Sequence, residues 1–536
     1  MKSKIKVVKR KFTPTQLALF SRSPIIGAWW EELKSQGLFK DKLPDDTELD
    51  KQLFIDGLRH EEVLIKKLKK QGFQIAELEG KQNESDYKAT KKAMSEGYDF
   101  IWQASLTNEE MRGSADLLRK IPGSSPFGDW SYQPIECKLS SKTKTTFLVQ
   151  ACSYCDLLSP LLKKRPNQFE LYLGGGKFKE FKTDKFWYWY QLLRKRYGDF
   201  QNSFNPNNIP IDNPGDHGSW EAFIQERLEA SRDLVTVAKM RQTQRLKLKE
   251  SDIHTIDDLA ELKEGTKVQG LRLEALNDLK EQAKLQVKPK GPDGKPNYLL
   301  KKIIEGKGLT ILPKQNQGDI WFDLEGVQDP VLGTQLEYLI GLCYQNESDT
   351  STVYKAWWAH SPSEEKKAFE DWVEWVEDRL GKYPNLRIYH YGSYEKSAIR
   401  RLAQQYATKE SIIDHWLRSE LLIDLLPVVT ASIVLGEDSY SIKKVEKLYM
   451  DKRDADVKTA GDSVVAYRIW ANSGEPEIPG KSPTGSPRLQ IIEDYNREDC
   501  ESTERLQNWL INLKKAEGLT FESHEEEKED ELSQEI

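Results

Sequence analysis

Residues 318–327 read GDIWFDLEGV and predict a buried strand with two acids on one face. Successive side chains of a strand alternate between its two faces, so Asp323 and Glu325 point the same way. Their neighbours Trp321 and Leu324 are apolar, and a carboxylate beside a hydrophobic core costs free energy unless it is paired or binds a metal. The pair is therefore a candidate metal site, although a single acid of this kind is commonly a surface or capping residue.

Further acids follow this strand at the ends of predicted elements. Glu395 stands at the start of a predicted helix, directly after the predicted strand LRIYHYG. In the last predicted helix, Tyr495 and Asp499 are four residues apart and so share one face. The intervening runs LEYLIGLCYQ and STVYKAWWA predict strands, and KKAFEDWVEWVEDRLG predicts an amphipathic helix. The region is therefore expected to be an α/β unit.

This arrangement resembles the RNase H-like DEDD exonuclease superfamily, in the subgroup whose third motif is Tyr-x-x-x-Asp. The matching residues are Asp323, Glu325, Glu395, Tyr495 and Asp499. The resemblance implies that the four acids hold two metal ions and that Tyr495 orients the water that removes nucleotides in the 3′-to-5′ direction. The second motif usually carries Asp, and Glu395 has a longer side chain. Two outcomes stay open: a second exonuclease site, or a degenerate platform that binds nucleic acid.

An earlier part of the chain holds another group of charged residues. The runs YDFIWQASL, GSADLL and WSYQPIECKL predict strands of one sheet, with a hairpin across the loop RKIPGSSPFGD. Glu136 and Lys138 share one face of the third strand, and Asp116 approaches Glu136 if the second and third strands are neighbours. Such a set suits Mg²⁺ or Mn²⁺, with the ammonium stabilising charge at a phosphate. The usual meaning of Glu-x-Lys is an ion pair.

The order of GLRHEEVLIKKL, GSADLL, IECKL and QACSY resembles the PD-(D/E)xK nuclease superfamily, and more closely its RecB-type branch. The site residues that it implies are Glu61 (or His60 in its place), Asp116, Glu136, Lys138, Gln150 and Tyr154. The resemblance implies that the acids bind metal, that Lys138 is catalytic, and that the helix with Gln150 and Tyr154 packs beside the site. Many RecB-type nucleases hold an iron–sulfur cluster with four Cys. Cys152 and Cys155 lack two further partners, so no cluster is expected.

Between these regions, residues 219–287 look entirely helical. The run KMRQTQRLKLKESDIHTIDDLAEL resembles a helix–hairpin–helix, a module that grips the DNA backbone through main-chain amides at helix N-termini. The candidate nucleic-acid contacts are Arg241, Arg245, Lys247 and Lys249. Such hairpins normally need Gly, and Ser251, Asp252 and Ile253 fill the turn here. A charged, solvated helix face is the alternative.

Composition limits the class of protein. The 536 residues are 31% charged, 38% hydrophobic and 10% aromatic, with a mean hydropathy of −0.69, which argues against a disordered chain and against membrane spans. No apolar segment follows the basic start MKSKIKVVKRKF, so no secretory signal is predicted. The five Cys do not suggest a disulfide framework, and a reducing cytoplasm fits best. The last 20 residues carry a charge of −8 against −6 for the chain, which leaves +2 for the rest.

In this order, the units resemble a bacterial family of RecB-like nucleases with a C-terminal RNase H-like domain. We therefore predict an α/β multidomain protein with four parts: a PD-(D/E)xK restriction-endonuclease-like fold (1–215), an all-helical, helix–hairpin–helix-like spacer (216–300), an RNase H-like fold (310–516) and an acidic disordered tail (517–536). Its predicted function is cytoplasmic, Mg²⁺- or Mn²⁺-dependent hydrolysis of phosphodiester bonds at single- or double-stranded DNA ends, in a setting such as DNA repair. RNA stays open as a substrate, no membrane contact is predicted, and protein partners are not indicated. The alternative is a non-catalytic nucleic-acid-binding scaffold or processivity module in a repair or defence complex.

Overall fold

The computed structural model describes residues 10–38, 48–291, 293–328, 335–349, 351–451, 459–480 and 484–521. The chain divides into two compact units, with residues 1–230 in the first and most of residues 231–536 in the second. The predicted spacer, 216–300, is therefore divided between them. Most of the predicted acidic tail, from residue 522 onward, lies outside the described residues.

The first unit combines one mixed sheet with helices. Its elements are α1 (Pro14–Arg22), α2 (Gly27–Ser35), α3 (Glu48–Lys70), β1 (Ile75–Glu77), α4 (Glu84–Glu96), β2 (Phe100–Thr107), β3 (Arg112–Ser125), β4 (Gly128–Lys138), α5 (Thr145–Leu162), β5 (Gln168–Leu173), β6 (Lys177–Lys182), α6 (Asp184–Ser203) and α7 (Glu221–Ala230). The six strands lie side by side in chain order. Strands β2, β3 and β4 form an antiparallel meander, and α5 then crosses over so that β5 runs parallel to β4.

The hairpin between β3 and β4 differs from the prediction. The loop RKIPGSSPFGD was expected to separate the strands, but only Pro126 and Phe127 lie between them. An irregularity in pairing between Pro122 and Ser125 accommodates the Gly, Pro and Ser residues within the ladder. Strand β6 was not predicted, because its sequence KFKEFK is largely exposed and shows no apolar face.

Two apolar layers cover the first sheet. On one face, residues of α1, α5 and α6 pack with Leu118 and Leu171. On the other face, Leu64 and Leu68 of α3 pack with Leu117 and Tyr172. Alternation along β3 and β4 therefore directs Asp116, Glu136 and Lys138 to the face that α5 covers.

The second unit begins with a helical region and continues into a second mixed sheet. Its elements are α8 (Gln242–Lys249), α9 (Ile256–Ala260), α10 (Leu273–Gln286), β7 (Tyr298–Leu300), β8 (Ile320–Gln328), β9 (Gln335–Gln345), β10 (Thr352–Trp358), α11 (Pro362–Lys382), β11 (Ile388–His390), α12 (Tyr394–Tyr406), α13 (Glu410–Arg418), β12 (Leu422–Asp424), α14 (Leu425–Ser432), β13 (Ile433–Leu435), α15 (Ile442–Val445), α16 (Ala460–Ala471) and α17 (Pro487–Ala516).

The sheet order of the second unit is β10-β9-β8-β11-β12, and β7 pairs separately with β13. Strands β9 and β10 are antiparallel, whereas β11 and β12 run parallel to β8. On β8, Phe322 and Leu324 pack into the core that includes Trp372, and Trp321 packs into the core that α17 shares. Asp323 and Glu325 have the same parity as Trp321 and therefore face α17. No helix in the described residues is both long and apolar enough to cross a membrane.

Candidate active sites

In the first unit, neighbouring strands bring together the acids and the lysine of the predicted set. The pairing of Leu117 with Ile135 places Asp116 opposite Glu136. The Asp116 Oδ2 accepts a hydrogen bond of 2.7 Å from the Cys137 backbone N–H. The Lys138 Nζ lies 2.5 Å from the Glu136 Oε1 and 4.0 Å from the Asp116 Oδ2. This is the shared face that the two-residue period predicted.

Burial makes these carboxylates hard to ionise. Glu136 is 1% exposed, its Oε2 has no hydrogen-bond partner in the structure, and burial together with the charge of Asp116 raises its pKa to about 8. Burial also raises the pKa of Asp116, against the opposing effect of Lys138. Burial alone would lower the pKa of Lys138, but Glu136 and Asp116 raise it. The Lys138 ammonium therefore stays charged. A further cation beside Glu136 and Asp116 would make ionisation of these two acids more favourable.

Glu61 reaches this set from α3. Its Oε2 accepts hydrogen bonds of 2.8 Å from both Trp102 Nε1 and Gln103 Nε2. Burial, followed by the charge of Asp116, raises the pKa of Glu61 to about 7. Gln103 has a φ of 55°, and it is left unpaired in the ladder between β2 and β3. The sequence did not reveal Trp102 or Gln103 as partners, because their contact with Glu61 depends on this local backbone turn.

His60, the rival to Glu61, has different surroundings. It is 3% exposed, and its ring stacks on Tyr172 with 4.5 Å between ring centroids. Burial lowers its pKa, against a hydrogen bond with the Tyr172 backbone. Tyr172 belongs to the apolar layer under α3, on the sheet face opposite Glu136. The structure therefore brings Glu61, and not His60, to the carboxylates.

Gln150 and Tyr154 lie on α5, as predicted, but they do different things. The Tyr154 hydroxyl is buried and donates a hydrogen bond of 2.7 Å to the Ser114 carbonyl, which ties α5 to β3. Gln150 is half-buried and lines a cavity together with Lys138. Tyr154 therefore holds the helix in place, whereas Gln150 borders open space beside the lysine.

In the second unit, Asp323 and Glu325 of β8 meet Asp499 of α17. One carboxylate oxygen of each lies within 4.8 Å of the others, and no other such group of three His, Cys, Asp or Glu residues is found in the described part of the chain. The Asn496 Nδ2 donates a hydrogen bond of 2.8 Å to the Asp323 Oδ2. Tyr338 Oη lies 3.4 Å from Glu325 Oε2 as a donor. This donor set of hard oxygens fits a divalent cation such as Mg²⁺ or Mn²⁺.

The electrostatics of this second acid set (Asp323, Glu325 and Asp499) also favour a bound cation. Burial, then Asp499 and Glu325, raise the pKa of Asp323. Burial is also the main cause that raises the pKa of Glu325 to about 8. Burial and Asp499 raise the pKa of the Tyr495 hydroxyl, so this phenol stays protonated and can donate a hydrogen bond.

A lysine that the sequence argument did not single out contacts this second set. Lys443 of α15 forms an ion pair with Asp499, and its ammonium lies 4.4 Å from the centroid of the Tyr495 ring. Because 56 residues separate Lys443 from Asp499, no local spacing could have predicted the pair.

Glu395 lies near the second set but outside its closest group. It begins α12, is buried, and its charge contributes to the raised pKa of Asp323. Its Oε2 lies 3.3 Å from the Nδ1 of the buried His390, although the geometry is not that of a hydrogen bond. His390 was not predicted as a neighbour.

The helical region corrects one predicted nucleic-acid contact. Arg245 is 2% exposed, and its Nε and Nη2 donate hydrogen bonds of 2.6 and 2.7 Å to the two oxygens of Asp233. A buried guanidinium requires such a partner, so Arg245 is a structural residue and cannot reach a phosphate. Lys249 also binds Asp233, and Lys247 binds the Gly270 carbonyl.

Arg241 is exposed and precedes the first turn of α8. In the turn before α9, Asp252 has a φ of 60°, the left-handed conformation that Gly adopts most easily. The turn geometry is therefore achieved without Gly, and α9 has only five residues.

Comparison with known proteins concerns the second unit. Residues 320–511 match the family model RNase_H_2, described as RNase H superfamily. No curated protein matches the chain. The match begins at the first residue of β8 and includes all three acids of the second set. Proteins of this superfamily are typically nucleases that use Mg²⁺ or Mn²⁺. The C-terminal unit therefore contains an RNase H-like domain.

Proposed function

We propose that the protein is a divalent-metal-dependent DNA nuclease with one hydrolytic site in each unit. The observation that carries the proposal is the close approach of Asp323, Glu325 and Asp499 within an RNase H-like domain. Burial raises the pKa values of Asp323 and Glu325, and the charge of Asp499 raises them further. Ionising three acids this close together therefore has an electrostatic cost. A divalent cation removes this cost.

The first site is proposed as a PD-(D/E)xK centre. The order α3-β1-α4-β2-β3-β4-α5-β5 supports this fold, with Asp116 and Glu136 facing each other across β3 and β4. Asp116, Glu136 and Glu61 would hold the metal, which supplies water activation and charge neutralisation at the phosphate. The Lys138 ammonium, held at Glu136, is placed to stabilise negative charge on the reacting phosphate or to orient the water.

The second site is proposed as a 3′-to-5′ exonuclease centre. Asp323, Glu325 and Asp499 would hold a metal ion, with Glu395 at a more distant position. Its protonated hydroxyl allows Tyr495 to donate a hydrogen bond to a phosphate oxygen or to hold the attacking water. The Asn496 amide fixes the orientation of the Asp323 carboxylate.

A second candidate function has its own support at the C-terminal site. The ion pair of Lys443 with Asp499 already neutralises one acid, and Glu395 lies beside His390. A site stabilised in this way can persist without metal, as a platform that binds nucleic acid but does not cut it. In that case, hydrolysis belongs to the first site alone.

A cleavage assay with 5′-labelled DNA strands and Mg²⁺ or Mn²⁺ tests the proposal. Lys138→Ala and Asp323→Ala are compared with the parent, with Lys91→Ala of α4 and the half-exposed Asp371→Ala of α11 as matched controls. We expect metal-dependent cleavage by the parent and the controls, and loss of part of it in each site variant. If both site variants cut as fast as the parent, the enzymatic proposal is wrong.

A further inference from the structure

A cavity beside Lys138 is not used by the carboxylate chemistry. Its volume is about 550 Å³, and its charged and aromatic lining is formed by Arg22, Lys34, Lys138, Lys144, Phe147 and Glu31. We call it the α5 cavity, since its floor includes the first turns of α5. This volume lies within the range of roughly 300–1,000 Å³ that is typical of small-molecule sites. It can hold one or two nucleotides, but not a duplex.

The charges around the α5 cavity favour an anion. Four cations line it against the single acid Glu31, whose carboxylate accepts a hydrogen bond of 3.0 Å from Trp220 Nε1. Arg22 pairs with Asp216 at 2.9 Å. Among the described residues, no acid lies within ion-pair distance of Lys34 or Lys144, and both lysines are exposed. Two cations are therefore available for phosphates.

The backbone and the aromatic lining add to this preference. Lys144 precedes the first turn of α5, and no side chain caps that end of the helix. Amide groups at the start of an 18-residue helix favour negative charge nearby. The half-buried Phe147 ring lies within 6 Å of both the Lys138 and the Lys144 ammonium groups. It therefore offers a surface on which a base can stack between two phosphate-binding cations.

We propose that the α5 cavity binds the nucleotides of a single DNA strand next to the bond cut at the first site. The cavity shares Lys138 with the carboxylates, so a phosphate at Lys138 lies at the site while its neighbour reaches Lys144 and Lys34. This inference rests on the proposed nuclease function of the first site and adds a substrate class, single-stranded DNA. Recognition is independent of sequence, because it uses phosphates and stacking.

The test measures binding of a fluorescent single strand by anisotropy at several salt concentrations. All proteins carry Asp116→Asn so that the first site does not cut the strand, and Asp323→Asn so that the second does not. Lys34→Gln with Lys144→Gln removes the two available cations; Lys88→Gln with Lys91→Gln, on α4 of the same unit, is the matched control. The slope of log affinity against log salt should decrease by about 1.4 in the first pair, about 0.7 for each lost phosphate contact. The control should keep the parent slope.

A second measurement separates binding from cleavage. Without the Asn substitutions, Lys34→Gln with Lys144→Gln should raise the KM for single-strand cleavage and leave kcat near the parent value. An unchanged slope and KM would overturn the cavity proposal while the nuclease proposal stands. Salt-sensitive binding that depends on these lysines in a protein that cuts nothing would support the cavity and overturn the nuclease. An equal loss of affinity for a blunt duplex would overturn the single-strand assignment.

Discussion

The two acid sets solve the same electrostatic problem with different geometry. In the first unit, each carboxylate has its own donor on the protein: Lys138 forms an ion pair with Glu136, and the Cys137 N–H donates a hydrogen bond to Asp116. In the second unit, Asp323 and Asp499 lie close enough to serve one cation, and a lysine from another element pairs with one of them. The partners of Glu136 and Asp116 therefore both lie on β4, whereas the partner of Asp499 comes from a separate helix, α15.

The largest expected effect is the loss of a different pattern of cleavage products when each site is inactivated. Glu136→Gln should remove cleavage that tolerates a blocked 3′ end, by roughly 100-fold or more. Asp499→Asn should remove the stepwise loss of nucleotides from the 3′ end, which a 3′-terminal phosphorothioate also blocks. Gel analysis of 5′-labelled products distinguishes the two patterns.

Controls for this experiment lie on the same elements or close to them. Glu96→Gln on α4 and Asp494→Asn on α17 remove partly exposed carboxylates from salt bridges at the surface and should retain both patterns. If Glu136→Gln abolishes every product and Asp499→Asn changes none, the C-terminal site is a binding platform and only the first site is catalytic.

The next expected effect is a loss of stability of the metal-free protein as pH rises. The pKa values of Glu136 and Glu325 rise to about 8 in the folded protein, and that of Glu61 to about 7, from an ordinary 4.5. The folded state thus binds these protons more tightly than the unfolded state does, so the stability that they contribute is present at low pH and lost as pH rises from about 4.5 through 8. Without divalent metal, thermal unfolding should shift to lower temperature by several degrees between about pH 5 and pH 8.

Substitution identifies which site carries the pH effect. Glu136→Gln should flatten the pH dependence of unfolding in the first unit, and Glu325→Gln that in the second; Mn²⁺ should restore stability at pH 8 in the parent. A Tm of the metal-free parent that rises over this range would contradict the assignment of these acids as proton-binding in the folded state.

A smaller effect is expected from the lysine of the second site. Lys443→Ala leaves Asp499 without its partner, so it should destabilise the metal-free second unit by about 1–3 kcal/mol, between the values for exposed and buried pairs. The same change should tighten Mn²⁺ binding, because the ammonium no longer competes for the carboxylate. The neighbouring Lys444→Ala is the control. It removes pairs with the exposed Asp438 and with Glu437, which keeps its ion pair with Lys447. Weaker Mn²⁺ binding by Lys443→Ala alone would show that the lysine supports the ion.

Local periodicity predicted the parts of the fold that depend on neighbours in sequence. The run KKAFEDWVEWVEDRLG was predicted as an amphipathic helix and lies within α11, and the strand with Asp323 and Glu325 is β8. The shared face of Glu136 and Lys138 follows from the pleat of β4. The fold class of the C-terminal unit was predicted as RNase H-like, and the family match supports it.

Contacts between distant elements could not be predicted in the same way. Lys443 and Asn496 reach the second set from α15 and α17, and Trp102 reaches Glu61 across 41 residues. The basic run around Arg245 looked like a phosphate-binding stripe because periodicity does not reveal a buried acid such as Asp233. Such residues become visible only when packing has fixed which side chains lose contact with water.

Counting the Mn²⁺ ions bound at equilibrium tests the central claim most directly. The free-ion signal in electron paramagnetic resonance gives this number for the parent, for Asp116→Asn with Glu136→Gln, and for Asp323→Asn with Asp499→Asn. We predict that the parent binds ions at both sets and that each double variant loses only the ions of its own unit. An unchanged count in both double variants would contradict the account.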